Sequence, residues 1–251
     1  AFIGKIGTKY NSKRICKELR EERVDTKFII QKDESRTGYS VILDSIKHDR
    51  TILNYRGSND ELKYAEIPVG KLNTHWFYFS SMIGQSFKTL ERLSQYAVKN
   101  NIHIAFTLSP YLAKKGIKFL KKILKNITIL VMNKEESELL VGKGSLKRNL
   151  KKLSKYGPKV VAITDGHHGT HVLYKNHIYF GKPNNIKVVE TTGAGDAFAS
   201  SFLSGMIKKN DVEFAMQLGM TNAESVIQYH GAKNKLLSYS KALSIMKKRP
   251  I

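Results

Sequence analysis

The chain has 251 residues, of which 41% are hydrophobic, and its 43 lysines and arginines against 21 aspartates and glutamates give a formal net charge of +22. This length and apolar content suffice for one substantial core, so we expect a single globular domain over residues 1–251. The composition excludes a disulfide within the chain, because there is one cysteine. No apolar run approaches the roughly 18 residues of a membrane span, and AFIGKIGTKYN lacks a signal-peptide layout. We therefore predict a cytoplasmic protein with no membrane partner.

The positive charge raises the question of nucleic acid or another polyanion as a partner. Most of the excess is lysine spread over the predicted helices, as in KKGIKFLKKILKN and KRNLKKLSKY. Lysine at this density is typical of a solvated face, whereas phosphate binding in grooves more often uses arginine with interleaved aromatic residues. We interpret the charge as surface composition that attracts anionic substrates, and polyanion binding is kept as a minority alternative.

The chain begins with a predicted strand in AFIGKIG and a helix in NSKRICKELREERV. Cys16 falls at an apolar-periodic position of that helix, where a buried small side chain is more common than a nucleophile. Between about residues 27 and 56, KFIIQ, GYSVILDSI and RTILNYR are rich in β-branched and aromatic residues and are separated by turns. This pattern predicts a small antiparallel β insert.

From His75 onward, predicted strands alternate with predicted helices. The strands are HWFYFSS, IHIAFTL, ITILVMN and KVVAIT, a hairpin follows in THVLYKNHIYF, and the last helices begin near Gly195, Val212 and Ser240. Alternation of this kind indicates crossover units and a mostly parallel sheet, and continuous apolar strands indicate burial on both faces. We expect an α/β fold whose ligands bind beyond the carboxyl ends of the strands.

Two loops follow predicted strands with polar or glycine residues. In MNKEESELL, Asn133 and Glu136 have the spacing of a helix capping box, and at a strand end they could also reach a hydrated magnesium ion. Spacing alone does not separate these interpretations. In TDGHHGTH, the glycines at 166 and 169 suit tight turns and also allow close approach of a ligand to the backbone. The three nearby histidines lack a completing carboxylate or cysteine, so we do not expect them to bind metal.

The segment TTGAGDAF places glycines and Asp196 at the start of a predicted helix. Glycines and an acidic residue are common at helix starts, but consecutive N–H donors and the positive end of the helix dipole also make an anion site. The dipole is expected to lower the pKa of Asp196, which makes it a weak resting base. It would still accept a proton from an alcohol that attacks a phosphoryl group. We therefore favour an anion site with a neighbouring base over an ordinary helix start for this segment.

In the order N-x-x-E, T-x-G-x-x-G and T-x-G-A-G-D, these motifs resemble those of the ribokinase-like (PfkB) family of carbohydrate kinases. The likeness covers nearly the whole chain: FIGKIG is similar to the family's first strand, RTGYSVIL to its lid Thr–Gly, RTILNYRGSND to its R-T-…-G-A-N stretch and HGAK to its late Gly–Ala turn. The resemblance implies a three-layer α/β/α fold with a mostly parallel central sheet, in which residues 27–56 form a small antiparallel β lid.

The resemblance implies ATP-dependent phosphorylation of a hydroxyl on a sugar or sugar-like substrate. Asp196 would be the catalytic base for the acceptor hydroxyl. The N–H groups of Gly193, Ala194 and Gly195 would form the anion hole for the transferred phosphoryl group.

The resemblance also implies a site for ATP and Mg²⁺. Asn133 and Glu136 would organise Mg²⁺, through water, together with the nucleotide phosphates. Thr164, Gly166 and Gly169 would lie along ATP.

Lid residues Thr37 and Gly38 would bind the sugar side and exclude water on closure, and a homodimer through the lid is a candidate assembly. The family's pattern begins with a substrate-binding Asp and a Gly–Gly–x–x–x–Asn loop, which we expect to precede residue 1. Glu190 stands where many members have an Asp linked to a monovalent-cation site, so K⁺ activation is left open. Met220 stands where many relatives place an Asn near adenine.

RTILNYRGSND favours a pentose or hexose as the substrate. The alternatives are a nucleoside or sugar-acid kinase of the same family, or a non-catalytic relative that binds sugar or nucleotide.

Overall fold

The computed structural model describes residues 1–32, 34–44 and 50–248, and these fall into two compact units. The first comprises Ala1–His75 and Met82–Asn100, and the second comprises Trp76–Ser81 and Asn101–Ile251. Among the described residues, no helix combines the length and apolar character needed to cross a membrane. The prediction of one domain over residues 1–251 is not tested by this division and stays a prediction.

Over its described residues, the first unit contains two separate pairs of strands and two long helices. Its elements are β1 (Gly4–Ile6), α1 (Tyr10–Glu21), β2 (Ile29–Gln31), β3 (Tyr39–Asp44), β4 (Arg50–Tyr55) and α2 (Gly84–Lys99). Three short 3₁₀ turns follow β4, at Gly57–Asp60, Tyr64–Glu66 and Val69–Lys71. Cys16 is buried on α1, as the apolar spacing predicted.

The predicted insert over residues 27–56 is antiparallel only in part. Strands β3 and β4 form an antiparallel pair, with Tyr39 opposite Tyr55 and Val41 opposite Leu53. KFIIQ does not join them, because its strand β2 pairs in parallel with β1. The prediction that KFIIQ is antiparallel is therefore wrong: strand propensity identifies a strand but not its partner. Residues 33 and 45–49 of the predicted lid lie outside the described residues.

The second unit is an α/β layer structure around a six-stranded sheet. Its strands are β5 (Trp76–Phe79), β6 (His103–Thr107), β7 (Ile129–Asn133), β8 (Val160–Thr164), β9 (Thr170–Tyr174) and β10 (His177–Gly181). They lie in the order β10-β9-β8-β7-β6-β5. The pairs from β5 to β8 are parallel, and β9 and β10 add an antiparallel hairpin at one edge. This architecture confirms the predicted α/β class with a mostly parallel sheet.

Helices cover both faces of this sheet. They are α3 (Pro110–Ala113), α4 (Gly116–Leu124), α5 (Lys134–Val141), α6 (Leu146–Ser154), α7 (Ala194–Lys209), α8 (Val212–Val226) and α9 (Tyr239–Lys248). On one face, side chains of β7, β8 and β9 form a buried cluster with α7 and α8, in which Val131, Ala162 and Val172 meet Phe202 and Met216. The alternate residues of the strands are buried on the other face, where α5 and α6 pack. Burial on both faces explains why these strands are continuously apolar.

Candidate active site

The first turn of α7 is fixed by Gly193, its N-cap residue. Gly193 has a left-handed backbone with φ of 84°, and a Cβ at this position would overlap the carbonyl oxygen of Ala232. Only glycine satisfies both the positive φ and the close approach. The turn TTGAG therefore lies directly against the turn HGAK, and this contact sets the direction in which α7 begins.

The amides of this turn are only partly used by the protein. The N-cap has no side chain and makes no side-chain cap, and the Ala194 amide donates to the Thr191 carbonyl at 3.2 Å. The next two amides, of Gly195 and Asp196, belong to the first helical turn, whose N–H groups have no partner within a helix. A Cβ at Gly195 would meet nothing within 4 Å. An open space beside two unused donors and a helix N-terminus suits an anion.

The carboxylate of Asp196 stands in the same turn. Its side chain is exposed, and over residues 1–32, 34–44 and 50–248 no hydrogen bond or ion pair to its carboxylate oxygens is found. The surrounding protein removes part of its hydration, and this desolvation raises the pKa of Asp196 above its usual value. The prediction that this pKa is lowered is wrong, because neighbouring protein atoms desolvate the carboxylate and no donor among the described residues contacts its oxygens.

Asn133 and Glu136 form the capping box that their spacing indicates. The Asn133 side chain accepts from the Glu136 amide at 2.8 Å, and Glu136 Oε2 accepts from the Asn133 amide at 2.9 Å. Glu136 is buried, and its pKa is raised by desolvation and further by the negative charges of Glu135 and Asp196. The capping role does not explain why the buried carboxylate of Glu136 lies near two other negative charges. Two carboxylates, Glu136 and Asp196, interact unfavourably across the end of the sheet.

The parallel strands bring several polar residues to the same edge. Thr164, the last residue of β8, is the register partner of Asn133, the last residue of β7. Beside them, Lys134 Nζ lies 3.0 Å from Asp165 Oδ2. Parallel strands end at one edge of a sheet, so Asn133, Thr164 and their neighbours share that edge by topology alone.

Tyr78 of β5 was not predicted as a site residue. Desolvation raises its pKa, a hydrogen bond with the Thr107 side chain acts against this, and the charge of Asp196 adds to the rise. Tyr78 therefore lies within electrostatic reach of Asp196, which comes from a distant part of the sequence. The segment HWFYF shows a tyrosine, with its polar hydroxyl, near the end of a predicted strand. Nothing in the sequence pairs this tyrosine with Asp196.

The two glycines of TDGHHG differ in what they permit. Gly166 has φ of +51°, and a Cβ there would meet nothing within 4 Å. Gly169 has φ of +99°, and a Cβ there would come within 2.5 Å of the Gly181 carbonyl oxygen and 2.8 Å of the Phe180 ring. Gly169 is thus required by the β9–β10 hairpin itself, whereas Gly166 leaves its surface open to a ligand. His167 and His168 lie between them in a 3₁₀ turn, and His171 lies on β9.

Glu190 is held by donors of the protein. Its Oε2 accepts from the Gly231 amide at 2.9 Å and lies 3.7 Å from His230 Nδ1. A hydrogen bond from the Thr192 side chain and the bond from Gly231 lower the pKa of Glu190, and the charge of His230 adds to this. Each donor that points at a carboxylate uses one of its roughly four lone-pair sites, so these contacts reduce the sites left on Glu190 for a cation.

Thr37 and Gly38 belong to the first unit, where the contacts of both are structural. The Thr37 hydroxyl accepts from the Gly7 amide at 3.0 Å and shares a hydrogen bond with the buried Ser12 hydroxyl at 2.7 Å. A Cβ at Gly38 would come within 2.6 Å of the Arg56 carbonyl oxygen. Their predicted role toward the sugar is not tested by these contacts.

Comparison with known proteins gives a consistent result. The sequence pattern of the family described as pfkB family carbohydrate kinase matches residues 1–238. The chain is 31% identical to an uncharacterized sugar kinase from Archaeoglobus fulgidus, over 94% of each chain. It is 27% identical to a ribokinase from Staphylococcus aureus, over 92% of this chain and 77% of that one.

Among solved structures, the fold is similar to that of Arabidopsis thaliana ribokinase, which was complexed with ribose and ATP. The TM-score is 0.83 at 20% identity, over 98% of this chain and 81% of that one.

The two glycines of TTGAGD offer a matched test of this geometry. Replacing Gly193 by Ala forces a Cβ onto the Ala232 carbonyl at a positive φ, and we expect it to lower the free energy of unfolding by about 1–3 kcal/mol. Gly195→Ala adds the same methyl group to a helical residue with open space, so we expect the free energy of unfolding to be unchanged or slightly raised. Urea denaturation followed by circular dichroism measures both. Equal stability of the two variants would contradict the close approach of Gly193 to Ala232.

Proposed function

The chain belongs to the pfkB family of carbohydrate kinases, and on that premise we propose that it transfers the γ-phosphoryl group of ATP to a hydroxyl of a sugar or sugar-like substrate. It is a phosphotransferase with an alcohol group as acceptor, of the kind that includes the ribokinase-type carbohydrate and nucleoside kinases. The observation that carries the proposal is the first turn of α7. There, the carboxylate of Asp196 stands beside two amides that the helix does not use.

In this proposal Asp196 is the catalytic base. The acceptor hydroxyl gives its proton to the Asp196 carboxylate as its oxygen bonds to the γ-phosphorus, and the bond from that phosphorus to the bridging oxygen of ADP breaks. The raised pKa makes Asp196 a better base than an ordinary aspartate. The predicted anion hole of Gly193, Ala194 and Gly195 is refined, because the Ala194 amide already has an acceptor in Thr191. The amides of Gly195 and Asp196 are the proposed donors to the transferred phosphoryl group.

We propose that the strand ends bind the nucleotide and Mg²⁺. The capping box engages Glu136 Oε2 and the Asn133 side-chain oxygen with one amide each. Among the described residues no donor contacts Glu136 Oε1, so this oxygen, with Asn133 beside it, fits a hydrated divalent cation, and the charge of Asp196 raises the pKa of Glu136. When bound, Mg²⁺ neutralises negative charge on the phosphates. We propose that Thr164 and Gly166 line ATP at this edge; the strand register of Thr164 with Asn133 and the open space at Gly166 support this, and Gly169 shapes the loop that carries Gly166.

Thr37 and Gly38 are proposed to act on the sugar side through a β lid formed by β3 and β4, within one kinase domain. Lid closure would exclude water and so limit wasteful hydrolysis of ATP. RTILNYRGSND supports a pentose or hexose, and a nucleoside or sugar acid is the alternative substrate. A non-catalytic sugar- or nucleotide-binding relative and a polyanion-binding protein are the remaining alternatives. The unpaired Asp196 carboxylate supports catalysis over both.

Replacing Asp196 by Asn removes the base but keeps the size of the side chain. We expect kcat for sugar-dependent ADP release to fall by about a hundred- to ten-thousandfold, because general base catalysis contributes about that much. In the wild type, the acid limb of the profile of kcat/KM against pH should lie above the usual aspartate pKa, since a base with a raised pKa is protonated at higher pH. Coupled ADP assays across sugars, sugar acids and nucleosides measure both quantities. Full activity of the Asn variant would refute the proposed role of Asp196. If no substrate gave ADP release, the proposed kinase activity would be refuted.

We propose further that K⁺ is not needed for activity. The Glu190 carboxylate is already satisfied by Gly231, Thr192 and His230. We expect equal rates in KCl and in choline chloride at the same ionic strength. Glu190→Gln keeps an acceptor for the Gly231 amide, so this variant should stay active in both salts. A rate that rises with K⁺ but not with choline would contradict this proposal.

A homodimer through the β3–β4 ribbon is the proposed assembly. Two cross-strand pairs of this ribbon are apolar and exposed: Tyr39 lies opposite Tyr55, and Val41 lies opposite Leu53. Each of these four side chains is more than 40% exposed. An exposed apolar ribbon of this kind is an interaction surface. We expect a dimer by sedimentation velocity at micromolar concentration, and Leu53→Lys should give a monomer. Val98→Lys, at an exposed position on α2, is the control and should stay dimeric. A monomeric wild type would overturn the proposal.

A further inference from the structure

A groove lies on the face of the sheet that is opposite to α7. It measures about 620 Å³ and runs between α6 and the β9–β10 hairpin, lined by Lys147, Lys151, His171, Asn176, His177, Ile178 and Phe180. The sidedness follows from strand alternation. Val172 and Tyr179 pack in the cluster with α7 and α8, so their neighbours His171, Ile178 and Phe180 face α6. The groove is thus separated by the sheet from the turn that carries Asp196.

The lining of the groove is positively charged, and Asp165, whose charge acts on His171, is itself paired with Lys134. Lys147 and Lys151 are four residues apart on α6, so their side chains lie on one face of the helix and repel each other. Over the described parts of the chain, neither ammonium group has an ion-pair or hydrogen-bond partner. By contrast, Arg148 donates to the Lys143 carbonyl and Lys152 to the Val141 carbonyl, each at 2.7 Å. None of the residues that line the groove is acidic.

The opposite wall of the groove is apolar and aromatic. Phe180 is 52% exposed although it is a large hydrophobic residue, and its ring centroid lies 4.8 Å from that of His171. Ile178 extends this wall along the edge strand β10. The Nδ1 atom of His171 is buried and has no hydrogen-bond partner within the described residues. The two ring planes are inclined by 48°, so a planar group can stack on the exposed Phe180 ring with the His171 ring beside its edge.

We propose that this groove binds a small organic phosphate, with the phosphate between the Lys147 and Lys151 ammonium groups and its ring or planar part on Phe180 and His171. A dianion at this place removes the repulsion between the two lysines and gains two charge-assisted hydrogen bonds. The apolar wall selects against inorganic phosphate, because burying Phe180 contributes only when the ligand carries an apolar part. The volume suits a small molecule. The site goes beyond the proposed kinase function and does not depend on it.

The test uses the full chain with phenyl phosphate as the probe, followed by amide chemical shifts in ¹⁵N NMR spectra. We expect saturable shifts at residues of α6 and of the β9–β10 hairpin. Lys147→Ala combined with Lys151→Ala should weaken this binding by about tenfold or more, since both charged donors to the phosphate are removed. Lys118→Ala combined with Lys122→Ala removes the same charge from exposed positions of α4 and should leave the affinity unchanged.

Two further arms separate the parts of the proposal. Phe180→Ala should abolish the preference for phenyl phosphate over inorganic phosphate, and Phe180→Leu should keep part of it. Sugar-dependent ADP release should be the same in the Lys147/Lys151 variant and the wild type, so failure of this site is distinguishable from failure of the kinase proposal. Equal loss of affinity in both lysine pairs, or shifts confined to α7, would overturn the proposal. Tighter binding of a single-stranded oligonucleotide along α6 would replace it by polyanion binding.

Discussion

The contact between Gly193 and the Ala232 carbonyl is the constraint on which the candidate site depends. A left-handed residue at the N-cap turns the chain sharply, and the absence of a Cβ lets the turn at HGAK pack against it. This packing fixes the axis of α7, and the axis fixes where the Gly195 and Asp196 amides point. The same turn of helix carries the carboxylate, so the proposed donors and the proposed base are held in one rigid piece, as phosphoryl transfer requires.

Electrostatics links this helix start to the sheet. Asp196 lies on α7, Glu136 on α5 and Tyr78 on β5. The charge of Asp196 contributes to raising the pKa of Glu136 and the pKa of Tyr78. A site that gathers carboxylates at low hydration is destabilised when it is empty of cations, and this unfavourable energy is relieved by a bound divalent ion. Glu190 shows the opposite arrangement, since protein donors already stabilise its charge. This difference is the basis on which we propose a divalent cation near Glu136 and none at Glu190.

The opposite faces of the second unit have different surfaces. One face carries α7 and the residues proposed for catalysis, and the other carries α6, whose lysines face an aromatic edge strand. The lysine density of the sequence predicts a solvated face. Arg148 and Lys152 satisfy their charged groups locally, by donating to the Lys143 and Val141 carbonyls. Among the described residues Lys147 and Lys151 make no such contact, and the hairpin brings Phe180 and His171 opposite them.

The sequence by itself determined the alternation of strands and helices, the α/β class, the capping box of Asn133 and Glu136 and the motif around Asp196, because these are written in short-range periodicity and spacing. It did not determine that KFIIQ pairs in parallel with β1, that the Ala194 amide donates to the Thr191 carbonyl, or that Tyr78 lies near Asp196. Nor did it determine the sign of the pKa shift of Asp196. Strand partners, hydrogen-bond partners and desolvation depend on residues far apart in the chain, and only the tertiary structure decided which of them meet.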